Sequence, residues 1–166
     1  MAVRFFSLTV GVVYFVLGLL GAVSGFVETS QDVPSIMTLV GSGTTAGFGY
    51  LFGLLPVNAF EGFVYLTIGT LGIAAYVGNE VVSRLYAQFL GVWLGVLAVL
   101  GCIPVANTLF GLMPIYGNDV WLHLGTAIAG AYFGFAMDKG RPGKDPSGSQ
   151  PLEKPFNVKG APPYNA

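Results

Sequence analysis

Four long apolar stretches run along the chain, and short polar or glycine-rich segments separate each from the next. They lie at about residues 4–26, 60–77, 84–105 and 120–137. A helix of about 20 apolar residues crosses the roughly 30 Å hydrocarbon core of a bilayer. The pattern therefore predicts an all-α membrane protein with four transmembrane helices within residues 1–137.

The first apolar stretch also has some features of a signal peptide. Arg4 precedes it, and the small residues Ala22 and Ser24 near its end resemble a cleavage site. Its apolar part is nevertheless longer than the roughly 7–15 residues that signal peptides use. We therefore predict that it is retained as the first span.

Two segments lack the length or composition of a span. Residues 27–50 form a connector rich in Gly, Ser and Thr, and its apolar piece at 36–40 is too short to cross a membrane. Residues 138–166 hold six of the ten prolines. Such a segment does not bury enough apolar area to fold alone, so we predict a Pro-rich cytoplasmic tail.

The second half of the chain repeats the first. Segment 51–73 aligns without a gap on segment 109–131, and each contains a Gly-Leu-x-Pro turn. The first apolar stretch aligns on the third in the same way, with Arg4 on Arg84 and Gly21 on Gly101. Two spans per half give both halves the same orientation. We therefore predict two tandem helical hairpins with a pseudo-twofold axis along the membrane normal.

The repeat also pairs polar residues at the starts of the second and fourth spans. Glu61 corresponds to Asp119, and Tyr65 corresponds to His123, the only histidine. Both acids lie near a helix N-terminus, where negative charge is favourable and side-chain oxygens cap free amides. We therefore expect Glu61 to place negative charge at the start of the second span, and Asp119 or its neighbour Asn118 to cap the fourth.

All basic residues fall on one side of the predicted bundle. They are Arg4, Arg84, Lys139, Arg141, Lys144, Lys154 and Lys159. The positive-inside rule therefore places both termini in the cytoplasm, with the chain in a bacterial inner membrane or a cyanobacterial thylakoid. The formal net charge is −1, and the predicted folded region has no basic patch. We therefore expect no nucleic acid partner.

Glycines recur at helical spacing within the apolar stretches. We expect seven of them to pack helices together: Gly11, Gly18, Gly91, Gly95, Gly125, Gly130 and Gly134. Lipid gives no hydrophobic reward for helix pairing, so small residues that let backbones approach supply the attraction. The pattern predicts a compact bundle, with aromatic side chains such as Trp93 and Phe133 facing lipid or pigment.

The duplicated turn supports a family resemblance. The duplicated unit, in which a Gly-Leu-x-Pro turn precedes a Gly-rich helix that in the second half is opened by His123, resembles an uncharacterised family of four-helix integral membrane proteins from bacteria and cyanobacteria. That family carries only a domain-of-unknown-function label. The resemblance covers about residues 1–137 and implies a membrane fold without implying an activity. Of the histidines in the family pattern this chain keeps His123, while Glu61 and Tyr65 stand in the corresponding places of the first half.

His123 is the main candidate for chemistry, and three interpretations are open. Because residues four apart share a helix face, it can hydrogen-bond to Asp119. It can also be an axial ligand of chlorophyll or haem, or part of a proton or metal site. One histidine among scattered carboxylates does not make a zinc site, so we expect no metal. Chlorophyll needs a single axial ligand, which makes it the favoured cofactor, together with carotenoid and lipids.

The sequence contains no arrangement typical of an enzyme. No serine or cysteine has a plausible base other than His123, and Cys102 lies in an apolar run where we expect a small buried thiol. No charged residue lies deep within a predicted span, which argues against an ion pump. A membrane enzyme or redox protein that uses His123 is the least favoured hypothesis.

We therefore expect a non-catalytic accessory or structural subunit of a larger integral-membrane complex, with the tail docked on a partner. The aromatic-rich spans favour a photosynthetic complex. The alternative is a small channel or transporter for an uncharged solute, which the duplicated two-helix unit favours.

Overall fold

A computed structural model describes residues 1–29 and 48–137. Its helices are α1 (Ala2–Gly21), α2 (Ala59–Val77), α3 (Glu80–Gly101) and α4 (Asn118–Ala131). Among the described residues, α1, α2 and α3 are long and apolar enough to cross a membrane. The chain is thus mostly helical, and its three long helices indicate an integral membrane protein.

The fourth predicted span is shorter than the others in its α-helical part. α4 has 14 residues, which at 1.5 Å per residue reach about 21 Å. It continues as a π-helical turn, Tyr132–Ala136, in which the Met137 amide donates to the Tyr132 carbonyl at 3.1 Å. The Gln88 side chain of α3 donates to the Gly134 carbonyl at 3.0 Å, and such an inserted side chain accounts for the wider turn.

Local chemistry explains where the long helices begin and end. Asn58 caps α2, because its Oδ1 accepts from the Glu61 amide at 2.8 Å, and Asn79 caps α3 in the same way. α3 therefore begins before Arg84, where the apolar pattern placed its start. It ends at Gly101 because Pro104 disfavours helical backbone in the residue before it.

A small antiparallel sheet is formed by parts of the predicted connector together with the residues around the first Gly-Leu-x-Pro turn. Its strands are β1 (Val27–Thr29), β2 (Gly49–Leu51) and β3 (Leu55–Val57), in the order β1-β2-β3. α1 stops at Gly21 rather than continuing to residue 26, and the chain then leads into β1. The apolar piece at 36–40 and the predicted tail at 138–166 lie outside the described residues.

The two Gly-Leu-x-Pro turns share an unusual backbone conformation. Phe52 and Gly53 have φ values of 54° and 69°, and their repeat equivalents Phe110 and Gly111 have 59° and 90°. Only glycine adopts this left-handed region without steric cost, so the phenylalanines occupy it at a disadvantage. The repeat in sequence is therefore also a repeat in backbone conformation at these two positions, whereas Leu109 has a φ of 46° and its equivalent Leu51 lies in β2.

On α1, two of the seven candidate packing glycines lie directly against the backbone of α2. A Cβ added at Gly11 would lie 2.7 Å from the Ile73 nitrogen, and one at Gly18 would lie 2.7 Å from the Leu66 nitrogen. Gly72 of α2 completes this contact, since its Cβ would lie 2.7 Å from the Cα of Gly11. The two helices therefore approach as closely as their backbones allow.

On α3 and α4, three of the seven make the same kind of contact. A Cβ at Gly91 would lie 2.8 Å from the Ala131 nitrogen, one at Gly130 would lie 2.8 Å from the Ala87 carbonyl oxygen, and one at Gly134 would lie 2.8 Å from the Gln88 nitrogen. Gly95 makes only an ordinary contact, 3.8 Å to the Ala127 Cβ. A Cβ at Gly125 would meet no atom within 4 Å among the described residues, so this glycine lies outside the contact between α3 and α4.

One end of the bundle gathers three helix termini. The amino group of Met1 lies 3.2 Å from Glu80, and Arg4 donates to the Tyr76 carbonyl through Nη2 at 2.7 Å and Nε at 3.1 Å. The starts of α1 and α3 and the end of α2 are therefore together. The sheet and the two turns lie toward the other end, where α2 and α4 begin.

The outer surface is apolar, and two expected placements differ from the structure. Trp93 is exposed, as expected, but the Phe133 ring is partly buried and stacks on Phe6 with centroids 4.8 Å apart. Cys102 is exposed rather than buried, because it follows the last residue of α3 where the chain leaves the bundle. The closed core includes Leu90 and Leu94, both fully buried.

Candidate functional site

Two asparagine side chains join the two Gly-Leu-x-Pro turns. The Asn58 Nδ2 donates to the Leu112 carbonyl at 2.8 Å, and the Asn118 Nδ2 donates to the Leu54 carbonyl at 3.1 Å. Leu54 and Leu112 are equivalent positions of the repeat. Because each asparagine also lies at a helix start, these bonds hold the N-termini of α2 and α4 side by side.

The start of α4 differs from the expected cap. Its N-cap residue is Gly117, and no side chain caps the helix. Asn118 bonds to the opposite turn instead, and Asp119 points into the protein, where it is fully buried. Asp119 is therefore placed for an interaction between helices rather than for a helix cap.

A cluster of four buried polar side chains fills the space between these helix starts. It consists of Glu61 and Tyr65 from α2 with Asp119 and His123 from α4, and it is called the polar cluster below. None of the four side chains is more than 1 % exposed. The Tyr65 hydroxyl donates to Asp119 Oδ1, and His123 Nδ1 lies 3.1 Å from Asp119 Oδ2. Glu61, Asp119 and His123 each offer one oxygen or nitrogen atom that could bind a metal ion. These three atoms lie within 4.8 Å of one another.

Aromatic rings close the polar cluster on the side of α1. The Tyr14 ring meets the Tyr65 ring edge-on, at 5.2 Å between centroids and 85° between planes. The Tyr14 hydroxyl donates to Thr126 Oγ1 at 3.2 Å, and Thr126 donates to the Leu122 carbonyl at 2.8 Å. Helices α1, α2 and α4 therefore all enclose the cluster, and its groups interact in a medium of low polarity.

Several atoms of the polar cluster have no hydrogen-bond partner among the described residues. They are both carboxyl oxygens of Glu61, Asp119 Oδ2 and His123 Nδ1. The 3.1 Å contact between Asp119 and His123 is short enough for an ion pair, but its alignment is not that of a hydrogen bond. A buried polar atom without a partner costs roughly 1–3 kcal/mol. Glu61 and Asp119 lie close enough together for these atoms to share either a proton or a bound cation.

The environment of His123 does not fit the expected chlorophyll ligand. Its ring is 1 % exposed and lies between Asp119 and Tyr65, whose ring centroid is 6.3 Å away. A tetrapyrrole on an imidazole nitrogen needs an open face many ångströms wide. The alternative interpretation, a contact with Asp119, agrees with the 3.1 Å separation.

Sequence reasoning treated the carboxylates as scattered, whereas the structure brings Glu61 and Asp119 to the only histidine. Tyr65 was also overlooked as a partner of Asp119. A signal for this arrangement was present in the internal repeat, whose gapless alignment pairs Glu61 with Asp119. Equivalent positions of two repeats lie near each other when they are close to the axis that relates the repeats.

Comparison with protein families gives one match. Residues 4–136 match the family model described as "Domain of unknown function (DUF4383)". No curated protein and no solved structure matches the chain. The matched range contains both turns, the polar cluster and nearly the whole of the four helices.

Proposed function

We propose that this chain, which belongs to the DUF4383 family, is a non-catalytic structural subunit of a larger integral-membrane assembly. In this proposal α1–α2 and α3–α4 form two tandem hairpins of the same orientation, related by a pseudo-twofold axis along the membrane normal. α4 with its π-helical turn is the fourth span, and both termini are cytoplasmic. The glycine contacts within each helix pair and the gathered termini of α1, α2 and α3 support this arrangement.

The enclosure of the polar cluster is the observation that carries the non-catalytic role. Glu61, Asp119 and His123 are the side chains best suited to acid–base chemistry, and each is at most 1 % exposed. A catalytic group has to come within hydrogen-bonding distance of a substrate. In this enclosed position the three residues can join helices or bind a small ion, since almost none of their surface is exposed in the part of the chain that the structure describes.

An apolar groove on the outer surface supports assembly with another membrane protein. It has a volume of about 380 Å³ and is lined by Gln88, Phe89, Val92, Trp93, Val96 and Phe135. The Phe89 and Trp93 rings are nearly parallel, with 9° between planes and 6.2 Å between centroids. Aromatic residues, and tryptophan above all, are enriched at protein–protein contacts. This Trp93 groove suits the side chains of a neighbouring transmembrane helix.

Native extraction tests the proposal. In mild detergent the wild-type chain should migrate in an assembly much larger than its 17.4 kDa mass, together with at least one different subunit. Trp93→Ala should release the chain, whereas Trp121→Ala is the matched control, because Trp121 is also exposed but lies on α4 outside the groove. A free monomer, or an assembly of this chain alone, would contradict the proposal.

The alternative function is a channel or transporter for a small uncharged solute. Its support is the duplicated two-helix unit, because many transporters are built from internal repeats. Liposomes that contain the purified protein should then pass the solute, and Gly91→Leu or Gly130→Leu should abolish the flux by forcing α3 and α4 apart. No flux through the intact protein would remove this alternative.

A further inference from the structure

We propose that Glu61, Asp119 and His123 bind one divalent first-row transition-metal ion, of which Zn²⁺ is the representative. The proposed site lies entirely within the polar cluster, and metal binding there does not depend on whether the chain is a subunit of a larger assembly. The types of ligand atom, the distances between them and the charge of the cluster each point to a bound cation.

The ligand types select the class of metal ion. Two carboxylates and one imidazole combine oxygen and nitrogen donors, a set common to zinc, iron and manganese sites. Ca²⁺ and Mg²⁺ prefer oxygen donors alone, so the imidazole of His123 disfavours both. Asp119 and His123 are four residues apart on α4, and this spacing places both side chains on one face of the helix.

The distances require only a small adjustment to hold an ion. Neighbouring ligands of a tetrahedral zinc ion are about 3.4 Å apart, given metal–ligand bonds of about 2.1 Å. Asp119 Oδ2 and His123 Nδ1 are 3.1 Å apart, which is already close to this value. The ligand atom of Glu61 lies within 4.8 Å of both, so rotation of this unpartnered side chain completes the set. Its second carboxylate oxygen or a water molecule then fills the fourth position.

The charges of the site balance when a divalent ion is present. Two ionised carboxylates and a neutral imidazole carry −2, and an M²⁺ ion brings the total to zero. Two like charges enclosed together are strongly unfavourable unless a proton or a cation compensates one of them, so binding of the ion would displace such a proton. Both acids lie in the first turn of a helix, where the helix dipole favours the ionised form that binds metal.

A residue next to the ligands orients one of them. The Tyr65 hydroxyl donates to Asp119 Oδ1, which leaves Oδ2 directed toward His123. Hydrogen bonds of this kind fix ligand orientation, and their loss typically weakens metal affinity by about 10- to 100-fold. Tyr65 is therefore a positioning residue of the proposed site.

Metal titration of the full-length chain tests the inference. Tag-free protein in detergent is treated with a chelator and titrated with Zn²⁺ by calorimetry, and with Co²⁺ by visible absorption. We expect one ion per chain and a melting temperature that rises with Zn²⁺. Glu61→Gln and His123→Gln should each weaken Zn²⁺ binding by more than about 10-fold, and Tyr65→Phe by about 10-fold.

A matched control separates this site from weak binding at the surface. Glu28→Gln removes one exposed acid near the same end of the bundle and should leave the affinity unchanged. Wild-type protein that binds neither ion at micromolar concentration would overturn the inference, as would Glu61→Gln protein that binds as tightly as the wild type. If a variant does not fold, the number of Zn²⁺ ions bound per wild-type chain still tests the inference, because one ion per chain is expected.

Discussion

Asn58 bonds through its side-chain amide to the Leu112 carbonyl at 2.8 Å, while its Oδ1 caps the helix that follows it. One side chain thus fixes both the start of α2 and the distance to the second turn. Because Glu61 and Asp119 lie just inside the helices that these turns begin, the geometry of the polar cluster depends on this bond.

Replacing Asn58 should cost more than replacing an asparagine that only caps a helix. Asn58→Ala removes a cap and a bond between the turns, so we expect a loss of about 2 kcal/mol in the free energy of unfolding. Asn79→Ala, the control, removes only the cap of α3 and should cost about 1 kcal/mol. Denaturant unfolding in detergent measures both. Equal losses would show that the bond to Leu112 contributes nothing.

Tyr65→Phe should destabilise the protein more than Tyr86→Phe. The first change removes a donor from the buried carboxylate of Asp119, at a cost of about 1–3 kcal/mol. The second removes a bond of 3.0 Å to the neutral Ile68 carbonyl, at a cost of about 1 kcal/mol. Unfolding in metal-free buffer gives both values. A smaller loss for Tyr65→Phe would mean that Asp119 does not depend on this hydroxyl.

Two glycines with similar sequence surroundings should respond in opposite directions to the same change. Gly91→Ala places a methyl group 2.8 Å from the Ala131 nitrogen and should cost about 1–3 kcal/mol. Gly125→Ala meets nothing within 4 Å, and it should stabilise α4 by up to about 1 kcal/mol because alanine favours the helix. Thermal unfolding of both variants tests the contact between α3 and α4. Destabilisation by both would contradict it.

Cysteine labelling should report opposite sides of the membrane for the two ends of the bundle. In a Cys102→Ser background, Glu28→Cys should react with an impermeant reagent added outside the cell, and Glu80→Cys only after permeabilisation. The reason is that Glu80 lies at the end that holds Arg4, which the positive-inside rule assigns to the cytoplasm. The native Cys102, which is exposed, should react like Glu28→Cys. Reaction of both introduced cysteines from the same side would refute the orientation.

The apolar pattern was sufficient to predict the mostly helical fold and its long helices. The reason is that the number of consecutive apolar residues matches the length of helix needed to cross the hydrocarbon core of a bilayer. Helix ends were predicted less well. The end of α3 follows from Pro104, which is visible in the sequence, whereas α1 ends early and the chain then enters β1, which pairs with β2. Partners in that pairing, such as Glu28 and Tyr50, are far apart in the sequence, so no local sequence pattern predicts that they pair.

Glycine spacing predicted candidates for helix packing without distinguishing among them. Gly91 and Gly125 both lie in small-residue patterns, yet only Gly91 faces a neighbouring backbone. The polar cluster was missed for a related reason. Each of its residues looks like an ordinary helix-start residue in its own helix, and its enclosure appears only when α1, α2 and α4 are packed together.

The unequal pairing of Tyr65 with His123 has a consequence for how such a fold diversifies. Two identical half-length chains around a symmetry axis carry the same side chain on both sides, so a histidine at this position would always be duplicated. Tandem duplication within one polypeptide removes that restriction. Here the first half supplies a phenol that donates to an acid of the second half, and the second half supplies an imidazole. Equivalent positions of the two halves can therefore carry different side chains with different roles at the same place in the bundle.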